Sequence, residues 1–250
     1  MSEPTIFETL SGRKIAYRKT SGIGPGVVFL GGFKSDMEGT KAVYLESWAR
    51  DTGRAFLRFD YSGHGASSGR FEDGSIGEWA DDAQQLIERQ TEGLQILVGS
   101  SMGGWIALLM AKRIAQKIAG LVGISAAPDF TEDSMWANFT DVQKQTILAD
   151  GCLALESDYS DAPYIITRKL IEDGRTQLVL RTPLSLPFPV RLLHGTADAD
   201  VDMSVPLRLL DHAQGDDLRL TLVKCADHRF SELDHLAMIR RAIHSVTMRA

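Results

Sequence analysis

Short apolar runs rich in β-branched residues alternate along the chain with longer amphipathic stretches. Residues 26–32 (GVVFLGG), 55–61 (AFLRFDY), 94–100 (LQILVGS), 118–125 (IAGLVGIS), 190–195 (VRLLHG) and 218–225 (LRLTLVKC) form the first set. Most are near-continuous in apolar character, the pattern of parallel strands covered on both faces. Helical periodicity marks 40–50, 76–90, 102–115, 205–212 and 232–248, and Ser75 three residues before Glu78 makes a capping-box signal ahead of the second. Regular strand–helix alternation implies βαβ units. Residues 6–10 and 14–20, ahead of any helix, read as an antiparallel pair at one edge. The expectation is an α/β fold in one domain over 1–250: a mostly parallel central sheet with helices on both faces.

One segment breaks this rhythm. Residues 129–187 carry no strong strand pattern but hold Met135, Trp136, Phe139 and Tyr164, before the proline-rich 182–190 returns the chain to the sheet. An insertion of that length inside an α/β domain predicts a helical cap or lid.

Composition narrows the function classes. The chain has 250 residues, 44% of them apolar, enough for a large core that needs neither metal nor disulfide. Cys152 and Cys225 show no CxxC spacing, so structural zinc and a disulfide scaffold are not expected and a reducing compartment is. A net charge of −6 with interspersed signs disfavours nucleic acid as a partner. The start, MSEPTIFETL, has neither a basic n-region nor an apolar h-region, and no apolar run reaches the ~20 residues of a membrane span. These features predict a cytoplasmic protein.

The chemistry concentrates in GSSMG, residues 99–103. It fits G-x-S-x-G with Ser101 at its centre, directly after a strand and opening a helix, the context a nucleophile elbow requires. Such a turn strains the serine backbone, so positions two before and two after must be very small; Gly99 and Gly103 comply. A frame on Ser100 would place Val98 and Met102 there and is rejected. The Met102 N–H, at the helix N-terminus, is then available to an oxyanion.

A nucleophilic serine needs a base, and the base an orienting carboxylate, in the chain order Ser, Asp/Glu, His on such a sheet. The strand at 190–195 runs into HGTADADVD and the last strand into DHRF, which selects Asp198 as the acid and His228 as the base. By spacing alone Asp200, Asp202 and Asp129 remain rivals for the acid. His194, in an apolar strand end, reads as structural; His64 lies in a turn, and His212, His235 and His244 in helical patterns. Asp227 reads as a turn residue. In FLGGFKSDM a glycine pair lets the backbone pass close to the nucleophile, so the Phe33 N–H is the expected second oxyanion donor. Met37, Met102, Trp105 and Trp136 are candidates for an acyl pocket, though large apolar residues are more often plain core.

In order, FLGGF, RFDYSGHGASSG, LVGSSMGGW, RLLHGTADADV and DHRF resemble the motifs of the α/β-hydrolase superfamily over nearly the whole chain. The resemblance implies that Asp198, in its H-G-x-x-D pattern, is the acid, and that residues 60–68 form the structural D-x-x-G-x-G-x-S turn. A more particular likeness is to the mitochondrial thioesterase and esterase branch, which implies activity on acyl esters and S-acylated cysteines. Two departures are a weakly matching 129–187 and the absence of a proline just after the acid.

The expected reaction is hydrolysis of carboxylic esters or thioesters through an acyl-enzyme, on a small-molecule acyl substrate or an S-acylated protein. It calls for no metal and no organic cofactor. The alternatives are C–C bond, amide or perhydrolytic chemistry on the same triad, or a ligand-binding module without turnover. A dehalogenase is disfavoured because a serine, not a carboxylate, occupies the elbow.

Overall fold

The computed structural model describes residues 3–156 and 163–247. The parts of the sequence-predicted segments at 1–2, 157–162 and 248–250, including the last residue of the C-terminal helix and the middle of the 129–187 insertion, lie outside the described residues. In chain order, β1 (Thr5–Glu8), β2 (Lys14–Thr20) and β3 (Ile23–Leu30) precede α1 (Thr40–Asp51). Next come β4 (Arg54–Phe59), α2 (Ile76–Gln90), β5 (Gln95–Ser100), α3 (Met102–Arg113) and β6 (Ile118–Ile124). The insertion holds α4 (Asp141–Asp150), β7 (Cys152–Leu155), β8 (Tyr164–Thr167), α5 (Arg168–Thr176) and β9 (Leu184–Ser185). The chain closes with β10 (Val190–Gly195), α6 (Ser204–His212), β11 (Ala213–Gln214), β12 (Leu218–Val223) and α7 (Leu233–Thr247).

Eight strands form one sheet in the order β1-β2-β4-β3-β5-β6-β10-β12. Strands β4 through β12 pair in parallel, while β1–β2 and β2–β4 are antiparallel, as the pre-helical pattern predicts. Period-two alternation sorts the buried side chains onto two faces. Val28 and Leu30 of β3 join the core under α2, α3 and α6, whereas Val27 and Phe29 join the core under α1 and α7. β5 and β6 are buried along their whole length, and α3 is buried from Met102 to Ala111, which explains why its sequence is apolar nearly all round.

Two expectations need correction. The 218–225 run is not a buried strand: β12 is the sheet's far edge, alternating half-buried and exposed residues, with Leu222 open to solvent. A strand with one neighbour covers fewer of its apolar side chains. The capping box at Ser75 is half made. The Ser75 hydroxyl accepts from Glu78 N–H, but the Glu78 carboxylate meets Lys169 Nζ at 2.7 Å and the Ser75 hydroxyl at 3.4 Å rather than the Ser75 backbone N–H.

The insertion between β6 and β10 is more than helical. A π-helical turn at Thr131–Trp136 and α4 lead into the antiparallel hairpin β7–β8, and β9 pairs in parallel with β11. Four-residue strands are too short to show an alternating pattern against the surrounding polar residues. Helix α5 fastens the insertion to the body: Asp173 accepts from the Gly77 N–H at the start of α2, at 2.7 Å. The ring N–H of Trp105 donates to the Gln177 carbonyl at 3.1 Å.

Candidate active site

A parallel sheet delivers the loops after β3, β4, β5, β6, β10 and β12 to one edge, where open α/β sheets bind ligands. Ser101 stands in the turn from β5 into α3 at φ 54°, ψ −118°, a conformation costly for a residue with a Cβ. Its N–H donates to the Ile124 carbonyl and its carbonyl accepts from Ala127 N–H, so β6 and the loop after it hold the strain in place. A methyl group on Gly99 would overlap the Gly103 backbone, and one on Gly103 would overlap the Leu30 carbonyl. Both glycines are therefore required by close approach of strand, turn and helix. Ser100 is by contrast an ordinary strand residue paired with Ile124.

Asp198 lies just past β10 and His228 just past β12. The imidazole Nδ1 sits 3.0 Å from Asp198 Oδ1 and 2.9 Å from Oδ2. The carboxylate is fully buried and the imidazole one-fifth exposed. Backbone bonds hold the two loops together: Thr196 N–H donates to Val223 O and Ala197 N–H to Ala226 O. Asp198 Oδ1 also accepts from Asp200 N–H at 3.0 Å and Val201 N–H at 2.9 Å. Burial pushes its pKa up, but the His228 bond, the Val201 N–H and the His228 charge outweigh that and hold it below the ordinary carboxylate range.

The turn after β3 approaches Ser101 from the other side. A methyl on Gly32 would stand 3.5 Å from Ser101 Cβ, and Ser35 N–H donates to Gly32 O at 3.2 Å. Phe33 lies inside this turn, its ring edge-on to Phe71, Phe130 and Tyr164 at 4.8, 5.5 and 6.1 Å. Met102 is the first residue of α3, so its N–H has no acceptor within the helix.

These loops enclose a cavity of about 540 Å³ that takes in Gly32, Phe33, Ser101 and His228. The insertion contributes Phe130, Ser134, Met135, Glu156 and Tyr164 to its wall. Lys34, Lys41, Asp200 and Arg229 add charge at the wall. Lys41 has its pKa lowered to about 8 by burial, and its Nζ donates to the Arg229 carbonyl. Gly32, Phe33, Ser101, Asp200 and His228 stand in motifs that follow strand ends; the other lining residues named here carry no such signal in the sequence. Of the apolar pocket candidates, Met37, Met102 and Trp105 are core residues and Trp136 packs under Arg175 and Lys144.

The other acidic and histidine candidates make different contacts. Asp200 Oδ2 is 4.0 Å from His228 Nδ1, and Asp202 accepts from Ser204 N–H. Asp129, fully buried at φ 58°, accepts from Val179 N–H at 2.8 Å and Leu180 N–H at 3.0 Å and pairs with Arg181. It pins the end of the insertion to its beginning. His194 is buried with Nε2 3.9 Å from Asp198 Oδ2; His212 binds the Thr182 carbonyl, His235 stacks on Phe230 and His244 is on α7. Asp227 accepts from Phe230 N–H, the turn role its position suggests. The potential ligand atoms of Asp198, Asp200 and His228 lie within 4.8 Å of one another, close enough to hold a metal ion, although Asp198 and His228 are already bound to each other.

Comparison with known proteins places this geometry among relatives. A family model described as serine aminopeptidase, S33, matches residues 26–153. The human mitochondrial palmitoyl-protein thioesterase ABHD10 is 34% identical over 219 residues, covering 87% of this chain and 71% of that protein. Its rat counterpart is 36% identical over 219 residues, covering 87% and 73%. The structure of mouse alpha/beta hydrolase domain-containing protein 10 superimposes with a TM-score of 0.91 at 31% identity, covering 98% of both chains. Est1E from Butyrivibrio proteoclasticus shares the fold at 19% identity, with a TM-score of 0.80 over 96% of both chains. The mitochondrial relatives overturn the expectation of a cytoplasmic protein. Among the described residues no helix is long and apolar enough to cross a membrane.

Proposed function

The chain belongs to the α/β-hydrolase family, and from that membership we propose that it hydrolyses acyl thioesters and esters through an acyl-enzyme on Ser101. The observation that carries this reading is the His228 imidazole held on Asp198 at 2.9 Å in the cavity that also exposes Ser101 on its strained turn. With Nδ1–H donated to Asp198, Nε2 is the free base. It takes the Ser101 proton as Oγ bonds to the acyl carbon, while the N–H groups of Phe33 and Met102 receive the oxyanion. The C–S or C–O bond then breaks and the leaving group takes the proton from Nε2. Water repeats the sequence, releasing the acid and restoring Ser101. Each oxyanion donor contributes about 3–4 kcal/mol to such a transition state.

The relatives named palmitoyl-protein thioesterases support an S-acyl substrate, and the insertion at 129–187 serves in this reading as a cap over the acyl group. A fluorophosphonate is expected to label Ser101, and p-nitrophenyl esters and acyl thioesters to turn over in the wild type and not in Ser101→Ala. Labelling without turnover of either series would favour amide hydrolysis, which peptide arylamides test. Absence of labelling in the folded wild type would overturn the serine-hydrolase reading and favour a binding module.

A further inference from the structure

The turn after β4 contains a buried imidazole that the reaction above does not use. His64 is 3% exposed, and its ring lies edge-on to Tyr61, Phe71 and Trp79 at 5.5, 5.1 and 5.0 Å. Its two nitrogens have opposite roles. Lys34 N–H donates to Nε2 at 3.2 Å, and because a backbone N–H can only donate, Nε2 must be unprotonated. The ring proton is therefore on Nδ1, 3.1 Å from the Ser62 carbonyl, to which it donates. Burial lowers the His64 pKa to about 4, which keeps the imidazole in this neutral form at ordinary pH.

Both ends of this bridge matter. Ser62 is a fixed post: its carbonyl also accepts from the Trp79 ring N–H at 3.0 Å, and its N–H and hydroxyl donate to Asp82 at 3.0 and 2.7 Å. Arg13 holds the other Asp82 oxygen at 2.7 Å. Lys34, at the far end, is the residue after Phe33 and third in the turn Gly32–Ser35. It has φ 57°, a left-handed conformation strained for a residue with a Cβ. The competing form of such a turn has negative φ at its third position, which reverses the Phe33–Lys34 peptide and turns the Lys34 N–H away. Only the observed form gives His64 Nε2 a donor.

We propose that His64 is a positioning residue for the oxyanion site: by fixing the Phe33–Lys34 peptide, its Nε2 anchors the C-terminal side of Phe33 and so limits how far the adjoining Phe33 N–H swings away from the acyl oxygen. The turn at residues 60–68 is then part of the machinery for the reaction and not only a structural element. The inference rests on the proposed hydrolase reading, because only a developing oxyanion makes the direction of the Phe33 N–H matter for rate.

The test compares His64→Phe, which keeps a ring among Tyr61, Phe71 and Trp79 but removes the acceptor, with His64→Gln, whose amide oxygen restores one. Fluorophosphonate titration counts competent sites, so misfolded protein does not enter the rate. Expected is a loss of about 10- to 100-fold in kcat per titrated site for His64→Phe, less than loss of a whole donor, with KM little changed. His64→Gln recovers most of that loss. A purely structural role would lower the titrated fraction and leave kcat per site intact. That result, or His64→Gln as slow as His64→Phe, overturns the proposal while leaving the hydrolase reading in place. If wild-type Ser101 is not labelled, both fall together. Hydrogen exchange in the wild type gives an answer even if His64→Phe does not fold: the Lys34 amide is expected to be protected, and rapid exchange there overturns the assignment.

Discussion

At Asp198 the neighbourhood, more than the residue type, decides the role. Three aspartates follow β10 within seven positions, and one of them is fully buried, bonded to the imidazole and fed by two backbone N–H groups. Asp198→Asn is expected to lower kcat by about 10⁴-fold, since the amide can stabilise the wrong imidazole tautomer. Asp200→Asn, whose carboxylate stands 4.0 Å from the ring, should cost far less. Comparable losses in both would reassign the acid. The same burial links to stability. A carboxyl with a folded pKa below its unfolded value contributes stability above the ordinary carboxylate range and loses it as pH falls through the lowered value. Urea midpoints of the wild type should therefore drop on acidification through that window, and those of Asp198→Asn should drop less. Much of this was legible in advance. G-x-S-x-G directly after a strand points to Ser101: Ser67 also has glycines at two residues' distance but lies well past its strand, and in the adjacent Ser100–Ser101 pair only Ser101 has them. Spacing could not separate Asp198 from Asp200, which differ by which carboxylate reaches into the sheet edge.

Among the elements, the insertion departs most from what periodicity predicts. Its strands are two to four residues long, α4 buries only Ile147 among its own residues, and one turn is π-helical. Patterning reports elements that bury a regular face against a core, and these pack mainly on each other. Local chemistry was nonetheless present: Thr140 and Gln143 complete a capping box that Ser75 and Glu78 only half form. What holds the insertion is less visible from sequence. Asp129 ties two N–H groups 50 and 51 residues away, a contact between residues that share no pattern. Asp129→Ala leaves both donors unpaired in a buried site, with an expected cost of about 2–6 kcal/mol at 1–3 kcal/mol per group. Urea unfolding would measure this, and hydrogen exchange should show lost protection at Val179 and Leu180 first. An unchanged midpoint with intact protection would mean that the Trp105 and Asp173 contacts suffice to hold the insertion.

Across the molecule as a whole, the proposed reaction draws its reacting groups from the sheet's loops, and the insertion contributes part of the cavity wall. Phe130, Met135 and Tyr164 present apolar surface in a cavity of about 540 Å³, while Lys34, Lys41 and Arg229 bring charge to the same space. If the acyl chain occupies the apolar side, each added methylene removed from water contributes about 0.8 kcal/mol, so kcat/KM should climb roughly fourfold per carbon until the chain meets the wall. A homologous series of acyl thioesters locates that break. Met135→Ala should move the break to longer chains without changing the rate at which a small fluorophosphonate labels Ser101, because the turns that carry Ser101 and Phe33 follow β5 and β3 and lie outside the insertion. A profile flat in chain length would place the leaving group, and not the acyl chain, against the insertion. The charged residues at the cavity wall would then become the determinants of which thioester or ester is cleaved.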